Sequence, residues 1–205
     1  MPGRQVLTAE DAKEIGVDHR YFKDCSDTVL LSSRGGNRYD RTFMESFVRP
    51  GLGLENWVSR TNYPALGIVP TGDHEISIYL QKNYGQPTSY LQRFSLRTDG
   101  FASVHAGYDV GALHTKPVVF ESRENLQLLL NFATSAAGAI RVELQDVHGT
   151  PIPGFELDAC IPNIGDRIDW PVKWSSDRRL HELAGQPIRI KFEMKDADLF
   201  SFQFN

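Results

Sequence analysis

Residues 139–146 read Ala139-Ile-Arg-Val-Glu-Leu-Gln-Asp146 and decide the fold class. Ile140, Val142 and Leu144 fall on one face of an extended chain, and the polar residues between them fall on the other. Residues 188–193, Ile188-Arg-Ile-Lys-Phe-Glu193, repeat this alternation. Each stretch therefore predicts a β-strand with one buried and one solvated face.

Further short apolar stretches surround these two, and turn residues such as His148-Gly149 and Pro153-Gly154 separate them. Close spacing of strands without helical periodicity predicts one antiparallel β-sandwich, jelly-roll or concanavalin-like, over residues 91–205. Phe200, Phe202 and Phe204 are expected to form an aromatic inner face. Trp170 and Trp174 are expected to share a side, in the core rather than as an exposed platform for sugars. The predicted strands are Phe101–His105, Lys116–Glu121, Asn125–Thr134, Ala139–Asp146, Ile168–Trp174, Ile188–Met194 and Leu199–Phe204.

Residues 1–90 predict a smaller β and loop region with one short N-terminal helix. The helix is expected over residues 8–16, because Thr8 can cap its first turn and Gly16 can close it. Strands are expected at Thr28–Ser33 and at Glu75–Gln81, where Ser77 falls on the polar face. Residues 38–63 show no period of 2 or 3.6, which indicates loops.

The composition of the chain argues against several classes of function. The chain has 205 residues, 40% of them hydrophobic, which is typical of a globular protein. Its net charge of -4 argues against nucleic-acid binding. No stretch is long and apolar enough for a membrane span, and the N-terminus lacks a signal-peptide core, so a cytoplasmic protein is expected. Cys25 and Cys160 are too few for a disulfide framework or a metal clip.

Several stretches together resemble a known family. They are similar to the end of the catalytic five-bladed propeller and the C-terminal sandwich of bacterial glycoside-hydrolase-like proteins related to glycoside hydrolase families 32 and 43. The upstream stretches are residues 30–36, 39–45, 49–51 and 56–57. The sandwich stretches are Arg97-Thr-Asp-Gly-Phe-Ala-Ser-Val-His-Ala106, residues 128–138, 141–146 and 151–155, and Lys195-Asp-Ala-Asp-Leu-Phe-Ser-Phe202.

The departures from family 32 concern the catalytic motifs. The Asn-Asp-Pro-Asn type motif with its nucleophile, the Arg-Asp-Pro motif and the Glu-Cys motif are all absent. A five-bladed propeller also needs about 20 strands, which the residues before the sandwich cannot supply. The resemblance therefore implies the C-terminal portion of a glycosidase-like protein, whose own chemistry need not be that of the family.

The irregular segment 39–60 carries the candidate site. Arginines, carboxylates and aromatic rings together are typical of carbohydrate sites. Asp40 and Glu45 are the candidate acid pair for glycoside hydrolysis; the alternative is that they form salt bridges with Arg38, Arg41 and Arg49. The candidate substrate-binding residues are Tyr39, Arg41, Arg49, Asn56, Trp57 and Arg60.

Two functions follow as alternatives. One is a glycoside-hydrolase-related protein that hydrolyses or binds glycosides through segment 39–60. The other is a non-catalytic sandwich that binds carbohydrate or a protein partner. We expect no cofactor and no metal site, with Asp146, Glu193, Asp196 and Asp198 read as solvated strand ends rather than calcium ligands. We also expect a homo-oligomer with residues 1–90 at its interface, because a partial propeller leaves strand edges uncovered.

Overall fold

A computed structural model describes residues 4–205. Strands account for 41% and helices for 8% of the structure, and the predicted mostly β, sandwich-like fold class is confirmed. The chain divides into a first unit that ends at Leu96 and a second unit from Arg97 to Asn205. This division falls after the predicted boundary at residue 90, because the strand Tyr90–Arg97 pairs with Glu75–Lys82 in the first unit.

The first unit begins with the predicted helix, α1, over Ala9–Glu14. The Thr8 hydroxyl accepts a hydrogen bond from the Asp11 amide at 3.1 Å, and the Asp11 carboxylate accepts one from the Thr8 amide at 2.9 Å. This reciprocal pair satisfies two amides that the helix leaves without partners. Gly16 follows the helix with a φ of +68°, as its closing position requires. Within residues 4–205, no helix has the length and apolar character needed to cross a bilayer.

Two small sheets make up the rest of the first unit. β1 (Thr28–Val29) pairs with β2 (Ser46–Val48). In the second sheet β5 (Glu75–Lys82) pairs with β3 (Tyr63–Pro64), β4 (Val69–Gly72) and β6 (Tyr90–Arg97). The strand predicted over Thr28–Ser33 is therefore shorter than expected, with one isolated bridge between Ser32 and Asp40 beyond it.

Polar side chains fill part of the interior of the first unit. Ser77 was predicted on a solvated face of β5 but is fully buried, since its hydroxyl is hydrogen-bonded to Thr71 Oγ1 at 2.7 Å and to Arg93 Nε at 2.9 Å. Lys82 is 6% exposed, and its Nζ donates to the Pro50 carbonyl at 3.0 Å and to Asn62 Oδ1 at 2.6 Å. Lys82 therefore ties segment 39–60 to the sheet from inside.

The second unit is one curled antiparallel sheet. Its strands are β7 (Val104–Ala106), β8 (Gly111–His114), β9 (Leu128–Gln145), β10 (Asp166–Pro171) and β11 (Arg189–Phe204). The order is β10-β9-β11-β7, and β8 also pairs with β11. β8 was not predicted, and Lys116–Glu121 is not a strand, since it contributes only a bridge between Val118 and Ile188.

Two long strands replace four predicted ones. The pairs 125–134 with 139–146 and 188–194 with 199–204 were each expected to be separated by a turn, but β9 and β11 run through without interruption. The pairing of β11 with β9 shifts register between Lys195 and Ala197 and again between Leu199 and Ser201. Such bulges bend a strand without ending it, so the sheet can curl around its own core.

The bulges also change which side chains face inward. The buried side of β11 passes from Ile190, Phe192 and Met194 to Ala197 and Leu199. Phe202 and Phe204 pack against the core as predicted, but the expectation for Phe200 is wrong. Phe200 lies on the other face, where the Arg97 guanidinium carbon is 4.4 Å from its ring centroid.

The two tryptophans of the 168–174 region do not share a side either. Trp174 packs against the core, whereas Trp170 is 38% exposed beneath the Arg167 guanidinium. The reason is that β10 ends at Pro171 and carries a register shift between Arg167 and Trp170. The alternation on which the prediction depended is thereby interrupted.

Candidate functional site

The predicted catalytic pair lies on open surface of the first unit. Asp40 and Glu45 are both exposed, and Asp40 joins the structure through its backbone, which exchanges hydrogen bonds with Ser32 at 2.8 and 3.0 Å. Across residues 4–205, neither carboxylate has a cationic group within 4.0 Å. The predicted salt bridges to Arg38, Arg41 and Arg49 are therefore absent from this part of the chain.

Three of the predicted binding residues use their polar groups inside the segment. Arg41 Nη2 donates to the Met44 carbonyl at 2.9 Å, Asn56 Nδ2 to that of Leu52 at 2.5 Å, and Trp57 Nε1 to that of Gly51 at 3.0 Å. The Trp57 ring also packs against the small core formed by Leu7, Ala12, Val17 and Val58. These three side chains hold the loop in place, while Tyr39 and Arg49 are exposed.

Arg60 is the predicted residue with the most distinctive surroundings. Its Nη1 donates to the Tyr84 hydroxyl at 3.0 Å, and its guanidinium carbon is 5.3 Å from the ring centroids of both Tyr21 and Tyr84. The hydrogen bond from Arg60 lowers the pKa of Tyr84. Arg60, Tyr63, Gln81 and Tyr84 line a cavity of about 420 Å³, so this one residue of segment 39–60 lines a concave site.

A larger concave site lies in the second unit. It is an open groove of about 860 Å³, lined by residues 122–127, 172–174 and 176–181 together with Phe155 and Ile161. Residues 122–127 lie about 50 residues before the stretch 172–181 in the sequence, and the sheet brings the two together. We call this site the sandwich groove.

Backbone pairing positions the base of the sandwich groove. The chain leaving β10 stays attached to β9, because the Val172 amide donates to the Leu128 carbonyl at 2.9 Å. Trp174 Nε1 donates to the Val142 carbonyl at 2.9 Å, which fixes the indole ring. The Trp174 and Phe155 rings meet edge to face, with centroids 5.2 Å apart at an angle of 82°. The base is therefore a rigid aromatic pair.

Arg178 closes one side of the base. Its guanidinium carbon lies 5.5 Å from the Phe155 ring centroid, its Nε is 2.9 Å from Glu182 Oε2, and its Nη1 donates to the Pro153 carbonyl at 2.8 Å. Gly154 makes this approach possible, because a Cβ there would lie 2.9 Å from Arg178 Cδ, and its φ is +89°. Hydrogen bonds from the Arg179 amide and from Arg178 lower the pKa of Glu182.

The rim of the sandwich groove carries an excess of positive charge. Arg123, Lys173 and Arg179 form no ion pair within 4.0 Å among the described residues, and their side chains are exposed. Together with Arg178, these three make four cationic side chains that line the groove. The lining contains two carboxylates, those of Glu124 and Asp177. Ser122, Asn125, Gln127 and Ser176 add neutral polar groups.

The sequence indicated Trp174, among the residues of this groove, as a core residue rather than a platform for sugars, and its ring does pack against the core. The other residues gave no local signal, because 122–127 and 176–181 resemble ordinary polar loops until the fold brings them together. Among the described residues, no cluster of three or more His, Cys, Asp or Glu side chains is arranged to hold a metal ion. Cys25 and Cys160 are both free thiols.

Comparison with known proteins adds no further assignment. No protein-family model, no curated protein and no solved structure matches this chain.

Proposed function

We propose that this chain is a non-catalytic carbohydrate-binding protein, and that its sandwich unit binds the saccharide in the sandwich groove. The observation that carries this proposal is the combination, in one groove of about 860 Å³, of a fixed aromatic base with amide, hydroxyl and guanidinium groups around it. Saccharides present apolar ring faces and adjacent hydroxyls, which such a set of groups complements.

The exposure of the carboxylates at both candidate sites favours binding over hydrolysis. A glycosidase needs two carboxyl groups on opposite sides of the bond it cleaves, and the one that acts as acid needs surroundings that raise its pKa. Glu124 and Asp177, the carboxylates of the sandwich groove, are exposed, as are Asp40 and Glu45. The relationship to glycoside hydrolase families 32 and 43, and a cytoplasmic location, stay predictions.

Binding is tested by isothermal titration calorimetry against a panel of soluble oligo- and polysaccharides. Gln127 is exposed, and its backbone, not its side chain, bonds to Asn205, so Gln127→Ala changes the groove without removing a described contact. Loss of one polar contact is expected to raise Kd about fivefold. Gln92→Ala on β6, outside the groove, is the control and should leave Kd unchanged. If no member of the panel binds, the proposal is wrong.

The catalytic alternative is tested on the same protein with chromogenic glycosides. We expect no turnover by the wild-type chain. We also expect Asp40→Asn and Glu45→Gln to leave the melting temperature unchanged, because neither carboxylate has an ionic partner among the described residues. Turnover that falls by about a hundredfold or more in either variant would establish an acid–base role and refute the non-catalytic assignment.

A further inference from the structure

We infer that the sandwich groove selects an acidic saccharide, one whose sugar rings carry carboxylate groups. This inference rests on the proposed function, because it names the ligand class of the same site. Such a ligand would need positive charge at the groove to bind its carboxylates and neutral polar groups to bind its hydroxyls.

The sign of the local charge is opposite to that of the protein. The whole chain carries a net charge of -4, whereas the groove combines four cationic side chains with two carboxylates, and one positive charge remains in excess after Glu182 is counted as the partner of Arg178. A uniform distribution would give a groove with a slight acidic excess. The positive excess is therefore a local property of this site, and it attracts anions within about 10 Å at moderate ionic strength.

The cations around the groove fall into two groups. Arg178 is held by Glu182, the Pro153 carbonyl and the Phe155 ring, so it forms part of the wall. Arg123, Lys173 and Arg179 have no ionic partner among the described residues, so their charge is available to a ligand. Guanidinium groups bind carboxylates through two parallel hydrogen bonds, which suits the carboxylate of a uronic acid.

The neutral groups favour a saccharide over an acidic peptide. Ser122, Asn125 and Gln127 supply amide and hydroxyl groups around the same groove, and a sugar offers several hydroxyls per ring to meet them. The Ser176 hydroxyl donates to the Gly154 carbonyl at 2.6 Å, so it can only accept from a ligand. Ile161 is 50% exposed at the lining and Trp174 is half-buried with Phe155 packed against it, so an apolar ring face also has a surface to contact. A chain of glutamate residues would meet the cations but leave these other groups unused.

The experiment compares three soluble polymers by isothermal titration calorimetry with the full chain. Polygalacturonate is the probe, its fully methyl-esterified form has the same backbone without the charge, and polyglutamate has the charge without the sugar. We expect polygalacturonate to bind at least about tenfold more tightly than either control. We also expect its Kd to rise about tenfold when NaCl increases from 50 to 500 mM, because surface charge pairs are screened by salt.

Three variants identify the cations responsible. Arg123→Gln, Lys173→Gln and Arg179→Gln should each raise Kd for polygalacturonate about threefold, since an exposed charge pair contributes modestly, and the triple variant should raise it by more than tenfold. Lys116→Gln in the same unit and Arg34→Gln in the first unit are matched controls. Both side chains are exposed and outside the groove, so Kd should not change.

The outcomes separate this inference from the proposed function. If the esterified polymer binds as tightly as polygalacturonate, and the triple variant leaves Kd unchanged, the groove binds sugar without charge selection, and this inference alone fails. If polyglutamate binds as tightly as polygalacturonate, the site recognises an anionic polymer rather than a saccharide, and the inference is overturned. If no saccharide binds, both the proposed function and this inference are wrong.

Discussion

Gly138 is the most confined glycine of the second unit, and replacing it with alanine should destabilise the sandwich. It is buried in the middle of β9, opposite the bulge of β11 at Lys195–Ala197. A Cβ at Gly138 would lie 2.6 Å from the Lys195 carbonyl oxygen and closer still to that of Asp196. Cβ atoms are essentially never found closer than 3.0 Å, so the methyl group or the strand must move by at least 0.4 Å (3.0 − 2.6).

The magnitude follows from the nature of the obstacle. Both blocking atoms are backbone oxygens of the neighbouring strand, which cannot rotate away as a flexible side chain can. Overpacking of this kind lowers the free energy of unfolding by up to about 3 kcal/mol. For a chain of this length, each kcal/mol shifts the melting temperature by about 2–4 °C, so at this upper limit Gly138→Ala should melt about 6–12 °C below wild type.

The assay is thermal unfolding followed by circular dichroism, with Gly107→Ala as the control. Gly107 is exposed and outside the left-handed region, and a Cβ there would meet nothing within 4 Å. Gly107→Ala should therefore melt within about 2 °C of wild type. Equal melting temperatures for the two variants would show that β9 and β11 do not approach each other as described.

Three further predictions concern the two units. Burial lowers the pKa of Lys82 in the folded protein below its ordinary value of 10.5. At a pH between the lowered pKa and 10.5, Lys82 is protonated in the unfolded chain but largely neutral in the folded one. The free energy of unfolding should therefore rise with pH across that window. Urea titrations at several pH values measure this rise. Lys82→Met should abolish it, whereas the control Lys13→Met, at an exposed lysine, should retain it. Parallel pH profiles for wild type and Lys82→Met would refute the attribution of the rise to Lys82. A fragment of residues 97–205 should unfold cooperatively in urea, because it contains the complete five-stranded sheet, and a molten fragment would contradict the division at Leu96. Finally, Leu52 and Leu66 of the first unit are almost fully exposed, and exposed apolar side chains favour association. We therefore expect light scattering to detect self-association at micromolar concentration, and the double variant Leu52→Glu/Leu66→Glu to weaken it. A monomeric wild type would refute this prediction.

The sequence predicts those elements whose signals are local. The Thr8 cap and the alternation at 140–144 and 188–192 appear in the structure as expected, because capping and period-2 patterns depend on neighbouring residues only. The continuity of β9 and β11 was not predictable in this way. Polar residues between two apolar stretches are equally compatible with a turn or with a bent strand, and the choice depends on pairing with a segment about 60 residues away.

The errors at Phe200 and Trp170 share one cause. Phe200 and Trp170 were placed by extending an alternation past a point where the register shifts. The sandwich groove escaped prediction for a related reason, since Arg123 comes from one connecting segment and Lys173 and Arg179 from another about 50 residues later. Their shared position is a property of the folded sheet rather than of any one stretch of sequence.

The central place of β11 has a consequence for synthesis on the ribosome. β11 pairs with β9 on one side and with β7 and β8 on the other. The strand edges that face β11 must therefore wait for residues 189–204 before they are paired, although the other edge of β9 can pair earlier with β10. The edge of β9 that faces β11 therefore stays unpaired while residues 146–188 are added, a state open to aggregation and to chaperone binding. Ribosome-bound chains that stop before residue 189 should be sensitive to protease throughout residues 97–188, and chains that expose β11 beyond the exit tunnel should become resistant in a single step.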